Sequence, residues 1–252
     1  MAGPHAPYTC GDEYLSSIIE LSSELDIGIH IHLSESTSEV EESCRLFGMS
    51  PIRRMKKIGL FDRPTLAAHC VHLSDEDIRL LAENRVNVVN NPGSNLKLGN
   101  GFAPVEKLLK AGVNVALGTD GAASNNNLNM FEEINLAALV NKGISLDTTS
   151  VPAYTALQMA TTGGARALGL EGQVGTISPG KKADLIILDM KKPHFYPRYN
   201  LVSSLAYSAQ ASDVSTVIVN GRILMEAGEL TTIDLEKVMH NAERCVQALM
   251  GQ

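Results

Sequence analysis

The chain has 252 residues, 44% of them hydrophobic, enough for one large domain or two smaller ones. Its formal net charge of −7 argues against nucleic acid or an anionic membrane as a partner, because both are held by basic patches. A small-molecule substrate, including a nucleotide-derived one, needs only a pocket.

The four cysteines, Cys10, Cys44, Cys70 and Cys245, form no C-x-x-C pair. Neither a thiolate zinc site nor a disulfide framework is in view, and a reducing, cytoplasmic setting is expected. No apolar run approaches the ~18 residues of a membrane span. Residues 1–8 lack a basic segment and an apolar core, so they are not expected to act as a signal peptide.

In chain order, residues 12–26 carry a helical stripe of Leu15, Ile18, Ile19, Leu21 and Leu25. A strand is predicted at 27–32. Residues 36–58 read as charged and mostly helical, with a break at Gly48-Met49-Ser50-Pro51. A strand at 65–69 is followed by a helix at 75–84, capped by Ser74 and acidic in its first turn. A third strand at 86–90 ends at the turn signal Asn91-Pro92-Gly93. A helix at 103–111, with Pro104 near its start and Gly112 closing it, precedes a fourth strand at 113–119. Four strand–helix alternations imply a parallel sheet with crossover helices. Beyond residue 120 the pattern changes to helices at 128–141 and 153–168. A short strand at 183–189 follows, then a hairpin at 214–225 with an Asn220-Gly221 turn, and a terminal helix at 234–250. Two units are expected: 1–171, the barrel-like part with its following helices, and 172–252, a β-rich segment with the terminal helix.

Polar residues stand at the ends of these strands. His32 and Glu35 follow the first, His69 the second and Asp120 the fourth. Chemistry at the C-terminal ends of successive parallel strands is the layout of a (β/α) barrel, and imidazoles with carboxylates suit a divalent metal and a water to activate. Each residue also has a plainer reading. His30 and His32 face the same way on a strand, and either can be a hydrogen-bonded interior histidine. Glu35 lies in an acidic stretch and can be a surface residue. His72 reads as a loop residue beside His69. Asp120 can be an Asx turn, although an Asp after a fully apolar strand is costly to bury unless paired. His5, between Pro4 and Pro7, says little by itself. The polar stretch at 90–99 suits either a substrate loop or a bland one. His194 and His240 read as surface residues.

Together the segments at 3–9 (GPHAPYT), 30–35 (HIHLSE), 67–73 (AAHCVHL), 91–100 (NPGSNLKLGN) and 117–126 (LGTDGAASNN) resemble the metal-dependent amidohydrolase superfamily. Within it they are similar to the 5-methylthioadenosine/S-adenosylhomocysteine deaminases, and residues 174–189 resemble that family's returning β segment. The resemblance implies an α/β fold: about the last half of a (β/α)8 TIM-type barrel followed by part of a small β-sandwich. It implies His32 and Asp120 as ligands of one divalent metal, zinc or iron. It also implies Glu35 as acid/base and substrate contact, His69 as the histidine that orients the attacking water, and His5 as a substrate contact beside Glu35 and Asp120. The implied reaction is hydrolytic deamination of an adenine nucleoside to the inosine analogue, with release of ammonia. Sister activities on the same scaffold are guanine deamination and triazine hydrolysis. The similarity covers the family's C-terminal two-thirds, and the family's first-strand His-x-His pair has no counterpart here. His30-x-His32 matches the fifth-strand histidine instead. The expectation is therefore a fragment, a misplaced start or a non-catalytic remnant, working as a homo-oligomer or with a complementing N-terminal half.

Overall fold

The computed structural model describes residues 1–251. Its first sheet has four parallel strands in the order β1 (Ile29–Leu33), β2 (Thr65–His69), β3 (Asn87–Asn90) and β4 (Val115–Leu117). A single parallel bridge from Ala2 to Ile29 continues the sheet past β1. The connections are helical: α1 (Asp12–Glu24) precedes β1, and α2 (Thr37–Phe47) and α3 (Pro51–Lys57) follow it. Then come α4 (Asp75–Glu83), α5 (Pro92–Lys97) and α6 (Val105–Lys110). The strands are shorter than their apolar runs suggested, because residues 27–28 and 113–114 enter the sheet as loops. Gly48, left-handed at φ +67°, ends α2, and the Ser50 hydroxyl caps α3, which accounts for the break between them. Ser74 caps α4 in a reciprocal box with Asp77. The Asn91-Pro92-Gly93 segment differs from the predicted turn. Pro92 takes the first position of a helix, where its missing N–H costs nothing, and α5 begins there.

The two faces of the sheet differ sharply. Ile29, Ile31, Leu33, Ala67, Val88, Val115 and Leu117 are buried in one core with Leu15, Ile52, Met55, Leu81 and Leu108 from the helices. The opposite face carries a small cluster of Leu66, Ala116 and Ala167 with Val89 against it. On that face His30 is exposed and His32 half-buried. Strand β1 therefore alternates, as a strand with one covered face does.

After β4 come α7 (Ala122–Asn125), α8 (Met130–Ser145) and α9 (Ala153–Gln158). The helix expected over 153–168 is interrupted by a π turn at Met159–Gly163 before α10 (Gly164–Ala167). Gly163 lies so close to β4 that a Cβ there would sit 2.9 Å from the Val115 carbonyl oxygen. The wider turn brings the backbone against the sheet.

The second sheet is antiparallel, in the order β5 (Leu185–Leu188), β6 (Val214–Val219), β7 (Arg222–Glu226) and β8 (Glu229–Leu230). The predicted hairpin forms with Asn220 and Gly221 both at positive φ, as an Asn-Gly turn requires. Helix α11 (Leu201–Tyr207), which packs on α8 and α9, and the short β8 were not read from the sequence. Helix α12 (Leu235–Met250) closes the chain. Ile186, Ile187, Val219 and Ile223 are all about half exposed on this sheet.

A buried acid ties together the segment between β5 and β6. Asp213 is 1% exposed and accepts from Lys192 Nζ (2.8 Å), His194 Nε2 (2.9 Å) and the Gln210 N–H (2.9 Å). His194 is exposed, as read from the sequence, and its ring is tied to this carboxylate. Burial alone would raise the Asp213 carboxyl; Lys192, the Gln210 N–H and His194 outweigh it and hold it down at about 2. Because the folded value lies below the unfolded one, this stability is present above pH ~4 and is lost as pH falls through about 2. Asp213→Asn is expected to lower the unfolding free energy by about 2 kcal/mol at neutral pH. Urea unfolding at pH 7 and near pH 2 checks this, and the deficit must shrink at the lower pH.

Candidate metal centre and active site

The parallel register sets the site. Leu33 pairs with His69, and Asn90 with Leu117, so the strand ends lie side by side. At each functional exit the chain turns through left-handed backbone: Ser34 at φ +52°, His69 at +70° and Asp120 at +66°. None is glycine, so each costs of order 1–3 kcal/mol and persists only where its surroundings enforce it. The enforcement is visible. The Ser34 carbonyl accepts from both the Val71 and His72 N–H groups. The Ser34 and Glu35 N–H groups donate to the two oxygens of the buried Glu39 carboxylate at 2.9 and 2.7 Å. The Glu39 carboxyl is pushed up by burial, which the backbone N–H groups only partly offset.

Three side chains from three strand ends converge. One ligand atom from each of His32, His69 and Asp120 lies within 4.8 Å of the others. The His32 and His69 rings stack with centroids 5.2 Å apart. His32 Nδ1 lies 2.7 Å from the His5 carbonyl oxygen and can donate to it, which leaves Nε2 free as a ligand atom. Asp120 Oδ2 accepts from the Ser94 hydroxyl at 2.6 Å and Oδ1 from the Gly121 N–H at 2.7 Å. Burial raises the Asp120 carboxyl, but Ser94, Gly121 and the His69 and His32 rings outweigh it and leave it below the ordinary range. The carboxylate is thus kept ionised.

Glu35 reaches the same space. Its Oε2 lies 3.7 Å from His69 Nε2, and its Oε1 accepts from Asn100 Nδ2 at 2.8 Å. Asp120 Oδ2 lies 4.0 Å from the same His69 nitrogen. His5 stands over His32 with ring centroids 5.1 Å apart, and its Nδ1 meets the Thr9 hydroxyl at 2.8 Å. All five side chains singled out in the sequence therefore gather at one end of the parallel sheet. His72 Nε2 instead meets the Asn100 carbonyl, and His30 lies one step down β1, with its ring 6.2 Å from that of His32.

A divalent cation fits this arrangement. His69 Nε2 is buried with no hydrogen-bond partner. Imidazoles with an ionised carboxylate are the donor set of zinc and of similar borderline cations. The residues that hold these side chains in place are mostly ones that spacing did not single out. Ser94, Asn95 and Asn100 come from the Asn-rich stretch after β3, Glu39 from α2, and Glu133 from α8. Glu133 accepts from the Gly93 N–H at 2.9 Å and from Asn125 Nδ2 at 2.7 Å, joining α5 to the loop beyond Asp120. A Cβ at residue 93 would meet the Glu133 carboxylate and the Asn125 amide, so a larger residue would have to displace both. The one signal available was a run of small polar residues directly after a strand.

A parallel sheet that gathers imidazoles and carboxylates at its strand ends offers the donor set of a divalent cation, and the comparisons with known proteins give the family. Residues 1–224 match the amidohydrolase family, and the chain belongs to it. A 5-methylthioadenosine/S-adenosylhomocysteine deaminase of Thermoanaerobacter pseudethanolicus is 59% identical over 250 residues, which are 99% of this chain and 58% of that protein. Among solved structures, a zinc-bound adenosine deaminase from Xanthomonas campestris superposes with a TM-score of 0.95 at 39% identity, over 99% of this chain and 57% of that one. The atrazine chlorohydrolase of Arthrobacter aurescens TC1, complexed with zinc, superposes with a TM-score of 0.86 at 28% identity, over 96% of this chain and 53% of its own. The chain thus spans a little over half the length of these relatives. No helix among the described residues is long and apolar enough to cross a membrane.

Ser94→Ala removes one of the two hydrogen bonds that orient Asp120. It is expected to weaken zinc affinity about 10-fold, at the low end for loss of a group that orients a ligand. Chelator competition on the purified chain measures this, and an unchanged affinity would show that Asp120 is oriented without Ser94.

Proposed function

We propose that this chain forms the C-terminal part of a zinc-dependent deaminase acting on adenine nucleosides, 5′-methylthioadenosine or S-adenosylhomocysteine. The observation that carries the proposal is the convergence of His32, His69 and Asp120 within 4.8 Å, with Glu35 alongside. The 59% identity to a relative of that name favours this substrate class over the triazine hydrolase, at 28%. In this reading the four parallel strands are half of a (β/α)8 barrel, and residues 1–171 are the barrel part. Residues 172–252 would contribute one sheet of a small β-sandwich and the terminal helix. The half-open face of the sheet and the half-exposed isoleucines of β5 suit that assignment, since a partner layer would cover both.

His32 Nε2 and the Asp120 carboxylate would hold the cation, with His69 beside them. A bound divalent cation supplies Lewis acidity that lowers the pKa of a water from 15.7 toward about 7. Asp120, ionised and fixed by two hydrogen bonds, takes a proton from the attacking water. His69 Nε2 orients that water. Oxygen adds to the adenine carbon that bears the amino group while Glu35 delivers a proton to the adjacent ring nitrogen. Collapse of the tetrahedral carbon breaks the C–N bond as Asp120 returns its proton to the departing amine and the hydroxyl proton passes to Glu35, so ammonia leaves, both carboxyl groups regain their starting states and the inosine analogue remains. His5, over the His32 ring, contacts the nucleoside.

A catalytic zinc site commonly has three protein ligands. We therefore assign the remaining ligands and the other barrel strands to polypeptide corresponding to the rest of the relatives' length, in the same chain or as a complementing half. Assembly as a homo-oligomer is the alternative. Four free cysteines suit a reducing cytoplasm.

The test is ammonia release from 5′-methylthioadenosine by this chain joined to, or mixed with, the N-terminal portion of a close relative. Turnover is expected in that combination, and its absence with zinc bound would reject the activity. In the active combination Asp120→Asn should lower kcat by about 1,000-fold or more, because the amide keeps the shape but loses the basicity. Glu35→Gln should lower kcat by about 100-fold or more with zinc content unchanged, as measured by atomic absorption. Loss of the metal in that variant would make Glu35 a ligand instead.

A further inference from the structure

Asn95 has no role in the reaction as described, yet it is among the most deeply placed polar residues. It is 1% exposed, and its Oδ1 lies 2.8 Å from Nδ1 of His69, itself fully buried. Its own amide Nδ2 faces Asn90 Oδ1 at 3.5 Å, and Asn90 is 2% exposed at the end of β3. The Asn95 backbone is held at both ends: its N–H donates to the Asn91 carbonyl and its carbonyl accepts from the Asn100 N–H. The side chain therefore has little freedom, and the oxygen is the atom left to meet the histidine.

A neutral imidazole carries one N–H and one lone pair, and which nitrogen holds the proton is set by the partner of the other. An acceptor at Nδ1 makes His69 the Nδ1–H tautomer. Its Nε2 then presents a lone pair to the space between Glu35 and Asp120, 3.7 and 4.0 Å away. A lone pair aimed at two carboxylates is unfavourable unless a cation or a water donor stands between them. With the opposite amide orientation, the ring would carry its proton on Nε2 and would be a donor to those carboxylates.

We propose that Asn95 is a positioning residue that fixes His69 as the Nδ1–H tautomer, so that its Nε2 acts as an acceptor at the metal-and-water position. The proposal deepens the hydrolase reading by stating the sense of one hydrogen bond in it. Its test needs neither metal nor turnover, so its failure and the failure of that reading are separable.

The experiment is solid-state ¹⁵N NMR on the histidine-labelled chain, stripped of metal with a chelator. It is run near pH ~8.5, about two units above the ordinary imidazole pKa of ~6.5. His69 signals are assigned by their loss in His69→Gln. The proposal requires a protonated Nδ1 and an unprotonated Nε2 in the wild-type chain. It also requires the same pattern in Asn95→Asp, which keeps the acceptor, and loss of the Nδ1–H form as the dominant species in Asn95→Leu. A wild-type ring protonated on Nε2, alone or together with Nδ1, overturns the proposal, and so does a folded Asn95→Leu with an unchanged ring. Should Asn95→Leu fail to fold, the wild-type and Asn95→Asp spectra decide.

Discussion

The site depends on the register of a parallel sheet. Because Leu33 stands opposite His69 and Asn90 opposite Leu117, the four strands end in line, and His32 near the end of β1, His69 at the end of β2 and Asp120 just beyond β4 reach the same volume. A slip of one residue in any pair would send that strand's side chains to the opposite face. The burial pattern prevents such slips. Ile29, Ile31 and Leu33 fill the helix-covered core on one face of β1, which leaves His30 and His32 on the other. Packing of apolar residues and aiming of polar ones are thus one constraint read from two sides.

The exits from the strands add the second requirement. Ser34, His69 and Asp120 hold positive φ without being glycine. Backbone strain of that kind persists only where neighbours over-determine it. Here Glu39 grips two consecutive N–H groups, Ser94 and Gly121 grip Asp120, and Glu133 ties α5 to the loop after β4. These groups bury polar atoms in satisfied pairs, so they fix geometry at little net cost. The exceptions are Ser34 Oγ and His69 Nε2, both buried and unpartnered, the second at the centre of the cluster.

Much of this was legible in the sequence, for identifiable reasons. The four parallel strands, with their helical crossovers, showed as β-branched runs separated by capped amphipathic helices. Ser74 and the Asn220-Gly221 turn announced their motifs in a few residues. His32, Glu35, His69 and Asp120 stood out because each follows an apolar strand, where a polar side chain needs a purpose. What was not legible depends on tertiary contact. The π turn at 159–163 answers to the nearness of β4, not to any local propensity. Asn91-Pro92-Gly93 reads locally as a turn, but Glu133, far along the chain, accepts the Gly93 N–H and accommodates a helix start. His194 is exposed, as expected, but its pairing with Asp213 could not be read because the partner lies beyond α11. The polar run at 90–99 marked the stretch that holds Asn95, but neither Asn95 nor Glu39 could be singled out, because their partners are fixed only once the strand ends meet.

The central claim is that His32 and Asp120 bind a divalent cation, with His69 beside them. Zinc-edge X-ray absorption on the chain loaded with one equivalent of zinc tests it most directly. The account predicts one zinc bound through imidazole nitrogen at ~2.0–2.1 Å and carboxylate oxygen at ~2.0–2.2 Å, without sulphur. It also predicts that the imidazole scattering falls in His32→Gln. A spectrum showing sulphur ligation, or one that His32→Gln and Asp120→Asn leave unaltered, would contradict it.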